Sequence, residues 1–392
     1  MKTIYALGLG MALVATPAPV HAASTGTVTL GAYLRYKAAS GKKNNLVITR
    51  SGNVVTFDDT VTLKAGTGCK AVPGHKTVVN CTFDSSTMVV KLGDKNDTFV
   101  NKTGMAVNAY GGTGNDKLTG GSGGDKLDGG TGKDKLYGGD GRDFLSGGSG
   151  NDLLDGGNGD DGLADDESDG GNDTLVGRLG NDYLNGGAGK DVYWGGGGDD
   201  MMSEAQVSSD IFHGGAGVDM VDYSYRRKLV VADLDGRTGD DGVSGEKDTI
   251  HTDVEGLRGE LSSSRFTGNE KNNILVGGLR DDILNGLGGD DELAGDSGKD
   301  TVDGGAGADR IEGGESADKL RGGPGNDVIT GDGGIDKIDG DDGDDKLFGW
   351  RTYAPPNEPS PFDDYLGGTL NGGAGVDLCD EGRSGSKVNC ES

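Results

Sequence analysis

From Gly111 the chain falls into a frame of nine residues: GGTGNDKLT, GGSGGDKLD, GGTGKDKLY, GGDGRDFLS, GGSGNDLLD and GGNGDDGLA follow one another without a gap. After a short acidic insertion at Asp165 to Glu167 the frame returns at Ser168 and continues through GRLGNDYLN, GGAGKDVYW and GGGGDDMMS, with two weaker units over Ala205 to Asp222. A second block runs from Gly268 to Phe348, and a last unit, GGAGVDLCD, occupies Gly372 to Asp380. A chain of 392 residues with 80 glycines and 32% hydrophobic residues argues against one compact core. Small repeated units that bury against their neighbours are the way such a chain can order.

Each position of the unit has a physical role. Glycines at the first, second and fourth positions are expected to take positive φ and to turn backbone carbonyls towards a common centre, which makes this half a turn. The eighth position is apolar: Leu118, Leu127, Leu136, Leu145, Leu154 and Leu163 in the first run, and Leu284, Leu293, Val302, Ile311, Leu320, Ile329, Ile338 and Leu347 in the second. One inward residue between two outward ones is a very short strand. A unit is then a turn plus a strand, two units complete one coil, and the coils stack into a two-layered solenoid.

The sixth position is aspartate in nearly every unit. The set is Asp116, Asp125, Asp134, Asp143, Asp152, Asp161, Asp173, Asp182, Asp191, Asp200 and Asp219, then Asp282, Asp291, Asp300, Asp309, Asp318, Asp327, Asp336 and Asp345, and finally Asp377. Stacked strands lie about 4.8 Å apart, so these carboxylates form columns of like charge. At about 5 Å two of them repel by roughly 0.8 kcal/mol in bulk water, and by more where the dielectric is lower. A hard cation that accepts six or more oxygens removes that repulsion, and carboxylates with turn carbonyls suit Ca²⁺. Mg²⁺ fits worse because it requires tighter octahedral geometry and holds its water. These aspartates are the candidate metal ligands, with several Ca²⁺ ions as the implied cofactor. Asp128, at the ninth position, is expected to point outward as a solvated charge.

GGxGxDxLx in tandem resembles the haemolysin-type calcium-binding repeats of RTX proteins. That resemblance implies an all-β fold, a right-handed parallel β-roll, with each ion held between the turns of units n and n+2. Carried onto this chain, it pairs Asp116 with Asp134, Asp125 with Asp143, Asp134 with Asp152 and Asp143 with Asp161, and the second block in the same manner. Departures from the pattern are local. Asn273 replaces the aspartate, Lys271 and Arg280 replace the fourth glycine, and Arg178 and Leu287 replace the second. Those rungs are expected to stack but to bind poorly or not at all.

The remaining segments complete the layout. Lys2, an apolar run from Ile4 to Ala15, Pro17, Pro19 and small residues around Ala22 read as a signal peptide over 1–22, too short to span a bilayer. Residues 23–91 contain alternating apolar segments and read as a small all-β cap domain of antiparallel strands. The first roll block covers 92–222, beginning with the degenerate unit LGDKNDTFV. Residues 223–267 interrupt the repeats with an acidic β insert carrying Asp233, Asp235, Asp240, Asp241, Glu246 and Asp248, without EF-hand spacing because Arg237 stands at the fifth position. The second block covers 268–348. Residues 349–392 hold a Pro-rich loop, the final repeat and a C-terminal cap. In an exported protein the close spacing of Cys69 with Cys81 and of Cys379 with Cys390 reads as two local disulfides.

Charge and motif content narrow the function. A net charge of -28 opposes binding to nucleic acid or anionic membranes. Gly120-Gly121-Ser122-Gly123-Gly124 matches G-x-S-x-G but sits in the repeat frame with no strand-to-helix elbow, and no H-E-x-x-H occurs. With histidines beyond residue 22 limited to His75, His213 and His251, no enzyme is expected. The expected function is that of a secreted, extracellular calcium-binding structural or adhesive module. The alternative is a carbohydrate-binding or carbohydrate-active protein that uses the roll as scaffold, and a glycan or cell-surface partner follows from either.

Overall fold

The computed structural model describes residues 25–83, 87–165, 171–204, 206–349, 369–380 and 386–390. The expected signal peptide and most of the Pro-rich loop lie outside them. Every element among the described residues is a β-strand. In the repeats each strand pairs in parallel with the strand two units along, so that residue i faces residue i+18. Leu118 lies beside Leu136 and Leu136 beside Leu154, while Leu127 lies beside Leu145 and Leu145 beside Leu163. Odd and even units therefore make the two faces of a parallel β-roll.

One face is unbroken from Thr87–Asp94 through Ala106–Thr113, Lys126–Thr131, Phe144–Ser149 and onward to Lys346–Phe348 and Leu378–Asp380. The opposite face is split. One sheet runs from Thr98–Asn101 and Lys117–Gly121 to Ile211–Ala216 and Thr249–Ile250. A second begins at Val230–Asp233 and Ser264–Thr267 and ends at Thr369–Asn371 and Ser386–Val388. The insert thus interrupts the sequence frame and the opposite face, but not the ladder of the unbroken face. Gly256–Arg258 pairs with Met220–Asp222 on one side and with Ile274–Gly278 on the other. Leu257 and Phe266 supply the inward residues, both almost completely buried, so these rungs form without glycine at the second and fourth turn positions.

Between the faces run two facing columns of eighth-position side chains, one from each face. Leu118, Leu136, Leu154, Leu163, Leu293, Ile311, Ile329 and Leu347 are all fully buried. Where two aromatic residues take adjacent rungs they stack, as Tyr193 does on Phe212 at 4.7 Å between ring centroids. The core is only one residue wide on each face, so its burial cannot by itself offset the charge columns on its flanks.

The glycines divide their work differently from the sequence expectation. Positive φ is confined to the second and fourth positions, as at Gly130 (φ 101°) and Gly132 (φ 133°), while the first-position glycines keep ordinary φ. The first position needs glycine for space. A Cβ on Gly129 would lie 2.5 Å from Asp134 Oδ2 and 2.6 Å from the carbonyl oxygen of Gly147.

The N-terminal strands join the roll instead of standing apart from it. Val54–Asp58 is antiparallel to both of its neighbours, as expected, but Leu34–Lys37 and Asn45–Ser51 pair in parallel with Thr87–Asp94 and Thr98–Asn101. Their side chains continue the same hydrophobic core. Cys69 and Cys81 face each other across an antiparallel pair and are disulfide-bonded. The inward Cys379 is bonded to Cys390, which ties the last described strand to the end of the roll.

Candidate metal sites

The turn of each unit ends on its sixth-position aspartate, and every one of the 20 aspartates named above is buried. They form ladders. The backbone N–H of Asp116 donates to Asp134 Oδ1 at 2.6 Å, that of Asp125 to Asp143 at 2.7 Å, that of Asp134 to Asp152 at 2.7 Å and that of Asp143 to Asp161 at 2.8 Å. The same step carries Asp152 to Asp173, Asp161 to Asp182, Asp173 to Asp191, Asp182 to Asp200 and Asp200 to Asp219. In the second block it links Asp282, Asp300, Asp318 and Asp336, and separately Asp291, Asp309, Asp327, Asp345 and Asp377. Carboxylates of units n and n+2 are therefore brought together as expected.

One oxygen of each carboxylate is thereby accounted for. The Oδ2 atoms of Asp116, Asp125, Asp134, Asp143, Asp161, Asp182, Asp200, Asp219 and the second-block aspartates are buried and accept no hydrogen bond. Most lie in a cradle shared with a backbone carbonyl. The point where a Cβ of Gly111 would stand is 2.5 Å from both Asp116 Oδ2 and the Gly129 oxygen, and Gly120, Gly129 and Gly138 repeat the arrangement. Converging carboxylate and carbonyl oxygens with nothing to donate to them suit a hard cation such as Ca²⁺.

The electrostatics agree. Burial raises the carboxyl groups of Asp125, Asp134, Asp161, Asp200, Asp282 and Asp291 from 3.8 to about 7, and the charges of neighbouring rungs add to the shift. A buried, unneutralised carboxylate takes up a proton instead of remaining charged.

Departures from the repeat have separable consequences. Arg178 and Leu287 adopt the positive φ of the glycines they replace, at 81° and 75°, and their strands stay in the ladder. Arg178 pairs with Asp155 at 2.5 Å. Arg280 and Lys271 keep φ outside the left-handed region, yet Asp282 in the Arg280 unit is placed like its neighbours, its Oδ2 buried and unsatisfied. Asn273 is different, because its Oδ1 accepts from the N–H of Asn269 at 2.7 Å and leaves no charged oxygen.

Four ladder members escaped the sequence reading, among them Glu255, whose Oε2 accepts from the N–H of Asp219 at 3.2 Å. Asp97 and Asp210 occupy the sixth positions of the degenerate units LGDKNDTFV and AQVSSDIFH, so the frame could have found them. Asp97 Oδ1 accepts from Asn44, and its Oδ2 is buried and unsatisfied. Asp248 carries no periodic signal and reaches the N–H of Asp210 across 38 residues. Both Asp210 and Asp248 are satisfied within the protein, by Ser208 Oγ at 2.7 Å and by Tyr223 OH at 3.2 Å. Asp128 is half-buried and its carboxyl raised by that burial, so it is not the freely solvated charge expected. In the insert only Asp233, Asp235 and Asp240 gather at the surface, where Arg237 already pairs with Asp235 at 3.0 Å.

Among curated proteins none shows significant similarity to the chain. The family model for the RTX calcium-binding nonapeptide repeat matches residues 108–136, 128–163, 167–202, 267–302, 295–329, 303–338 and 321–351. Those segments hold all of the repeat aspartates named from the frame except Asp219 and Asp377. The chain carries tandem RTX calcium-binding nonapeptide repeats, and these repeats build the roll.

Proposed function

We propose that this is a secreted protein whose roll orders on binding Ca²⁺ and then serves as a rigid structural or adhesive module, without catalytic activity. The observation that supports it is the row of buried, unsatisfied Oδ2 atoms along both edges of the roll. A folded chain tolerates a few buried unsatisfied polar atoms, not a periodic series of charged ones. The apolar run at Ile4 to Ala15 and the two disulfides support export. The serine of the G-x-S-x-G match lies in a turn of the roll between Lys117–Gly121 and Lys126–Thr131, which supports the non-enzymatic reading. Equilibrium dialysis against millimolar Ca²⁺, with metal counted by elemental analysis, is expected to return many ions per chain. A count of none or one would overturn the reading.

The carbohydrate-binding alternative is favoured by one surface feature. An open hollow of about 560 Å³ lies on the unbroken face, floored by Gly162 and Ala164 and walled by Phe144 and Tyr183, with Lys126 and Arg142 alongside. Exposed aromatic walls with adjacent polar groups suit a sugar ring. A glycan array on the calcium-loaded protein is expected to give binding that Phe144→Ala abolishes. Signals that survive this substitution, or an array without signal, would rule the hollow out.

A further inference from the structure

At one rung a carboxylate stands where the four preceding rungs have a backbone carbonyl. The cradles at Gly111, Gly120, Gly129 and Gly138 are each faced by the carbonyl oxygen of the first-position glycine two units on. At Gly147 that oxygen is replaced by Asp165 Oδ1, 2.3 Å from where a Cβ would stand and opposite Asp152 Oδ2 at 2.6 Å. Asp165 follows the ninth residue of its unit, where the frame would place the next first glycine, so the acidic insertion begins by turning a side chain into the site. Its Oδ1 accepts from the N–H of Gly148 at 2.7 Å. Its Oδ2 is buried without a hydrogen bond, in a residue only 8% exposed. Ligand atoms of Asp152, Asp165 and Asp173 all lie within 4.8 Å of one another.

The chain meets the same problem a second time and solves it differently. Glu204 also follows a ninth residue and makes the equivalent backbone bond, to the carbonyl of Asp222 at 2.9 Å, as Asp165 does to that of Asn185 at 2.8 Å. Beside Glu204 the buried guanidinium of Arg226 bridges Glu204 and Glu246 at 2.5 and 2.6 Å. Among the described residues no lysine or arginine pairs with Asp165. A cation bound from solution would supply the charge that no described side chain does.

We propose that Asp152, Asp165 and Asp173 form a three-carboxylate Ca²⁺ site that fills before the two-carboxylate rungs and nucleates the first block. The inference rests on the reading of the roll as calcium-binding and adds an order to it. Ligand charge count tunes Ca²⁺ affinity over decades, so one further carboxylate is expected to tighten this site by about tenfold or more. In a stack stabilised by nearest-neighbour contacts, the first rung to order favours those on either side.

The test is calorimetric titration of chelator-treated full chain with Ca²⁺, for the parent, Asp165→Asn and Asp143→Asn. Asparagine keeps an oxygen that can accept from Gly148 and removes only the charge. One ion is expected to bind about tenfold tighter than the rest. Asp165→Asn should merge it with the weaker class, and Asp143→Asn should leave it in place. Circular dichroism at saturating Ca²⁺ checks that both variants fold. If Asp165→Asn does not fold, loss of the tight class in Asp143→Asn, or its absence from the parent, still overturns the proposal. A single affinity class unchanged by Asp165→Asn would refute the nucleating site and leave the calcium-binding reading intact. No calcium binding by the parent would refute both.

Discussion

Chelator-treated protein at pH 8 is expected to lose most of its strand signal in circular dichroism, and Ca²⁺ in the range of about 10⁻⁴ to 10⁻³ M to restore it, with Mg²⁺ much less effective. Raising one carboxyl from 3.8 to about 7, as burial does at Asp134 and Asp161, works against the folded state by on the order of 4 kcal/mol at pH 8 if nothing neutralises it. Even a fraction of that, repeated along the ladders, exceeds the roughly 5 to 15 kcal/mol by which domains are stable. A core one residue wide on each face cannot carry the difference.

The same shifts fix a pH dependence. Folded-state values near 7 lie above the unfolded value of 3.8, so between those limits the folded roll binds more protons than the unfolded chain. Its metal-free stability therefore falls as pH rises through that window. Chelator-treated protein should hold more strand at pH 5 than at pH 8, and the response to Ca²⁺ should shrink on acidification. A full strand spectrum at pH 8 without Ca²⁺ would contradict the charge-column mechanism.

Periodicity made most of this legible from residues alone. The eighth-position apolar residues locate the core because a strand of one inward and two outward residues leaves no freedom of face, and Leu118 through Leu347 lie where that rule puts them. The aspartates follow from the same frame. What the frame missed comes from places where backbone geometry survives without the motif. Leu257 and Phe266 keep rungs going through the insert because parallel pairing needs an inward side chain and a matching strand, not glycine at the second and fourth turn positions. Asp248 joins the ladder through a contact 38 residues away in sequence, which no nine-residue window contains. The first-position glycines were misread because space and backbone conformation leave the same letter in the sequence. Only the position of Asp134 Oδ2 beside Gly129 separates the two reasons.

Asp134→Ala is expected to act on two sites at once, and its sign is expected to reverse with calcium. Asp134 Oδ1 receives the N–H of Asp116 at 2.6 Å, and its own N–H donates to Asp152 at 2.7 Å, so the residue stands between two rungs of one ladder. Alanine removes a ligand oxygen from both, so calorimetric titration should count about two fewer ions, with folding moved to higher Ca²⁺. Glu292→Ala is the matched control, since Glu292 is an acidic residue at an exposed seventh position and should titrate as the parent does. Without calcium the ranking should invert. Asp134 is then a buried carboxylate whose charged form opposes folding, and removing it costs only the hydrogen bond to Asp116, about 1 to 3 kcal/mol, against a larger electrostatic relief. At pH 8 in chelator, Asp134→Ala should therefore be no less ordered than the parent, while in 5 to 10 mM Ca²⁺, about tenfold above the extracellular range of affinities, it should be the less stable of the two. Equal losses from Asp134→Ala and Glu292→Ala would mean that Ca²⁺ is held by diffuse surface charge. A loss that is the same with and without Ca²⁺ would mean that Asp134 serves only as a hydrogen-bond acceptor in the turn.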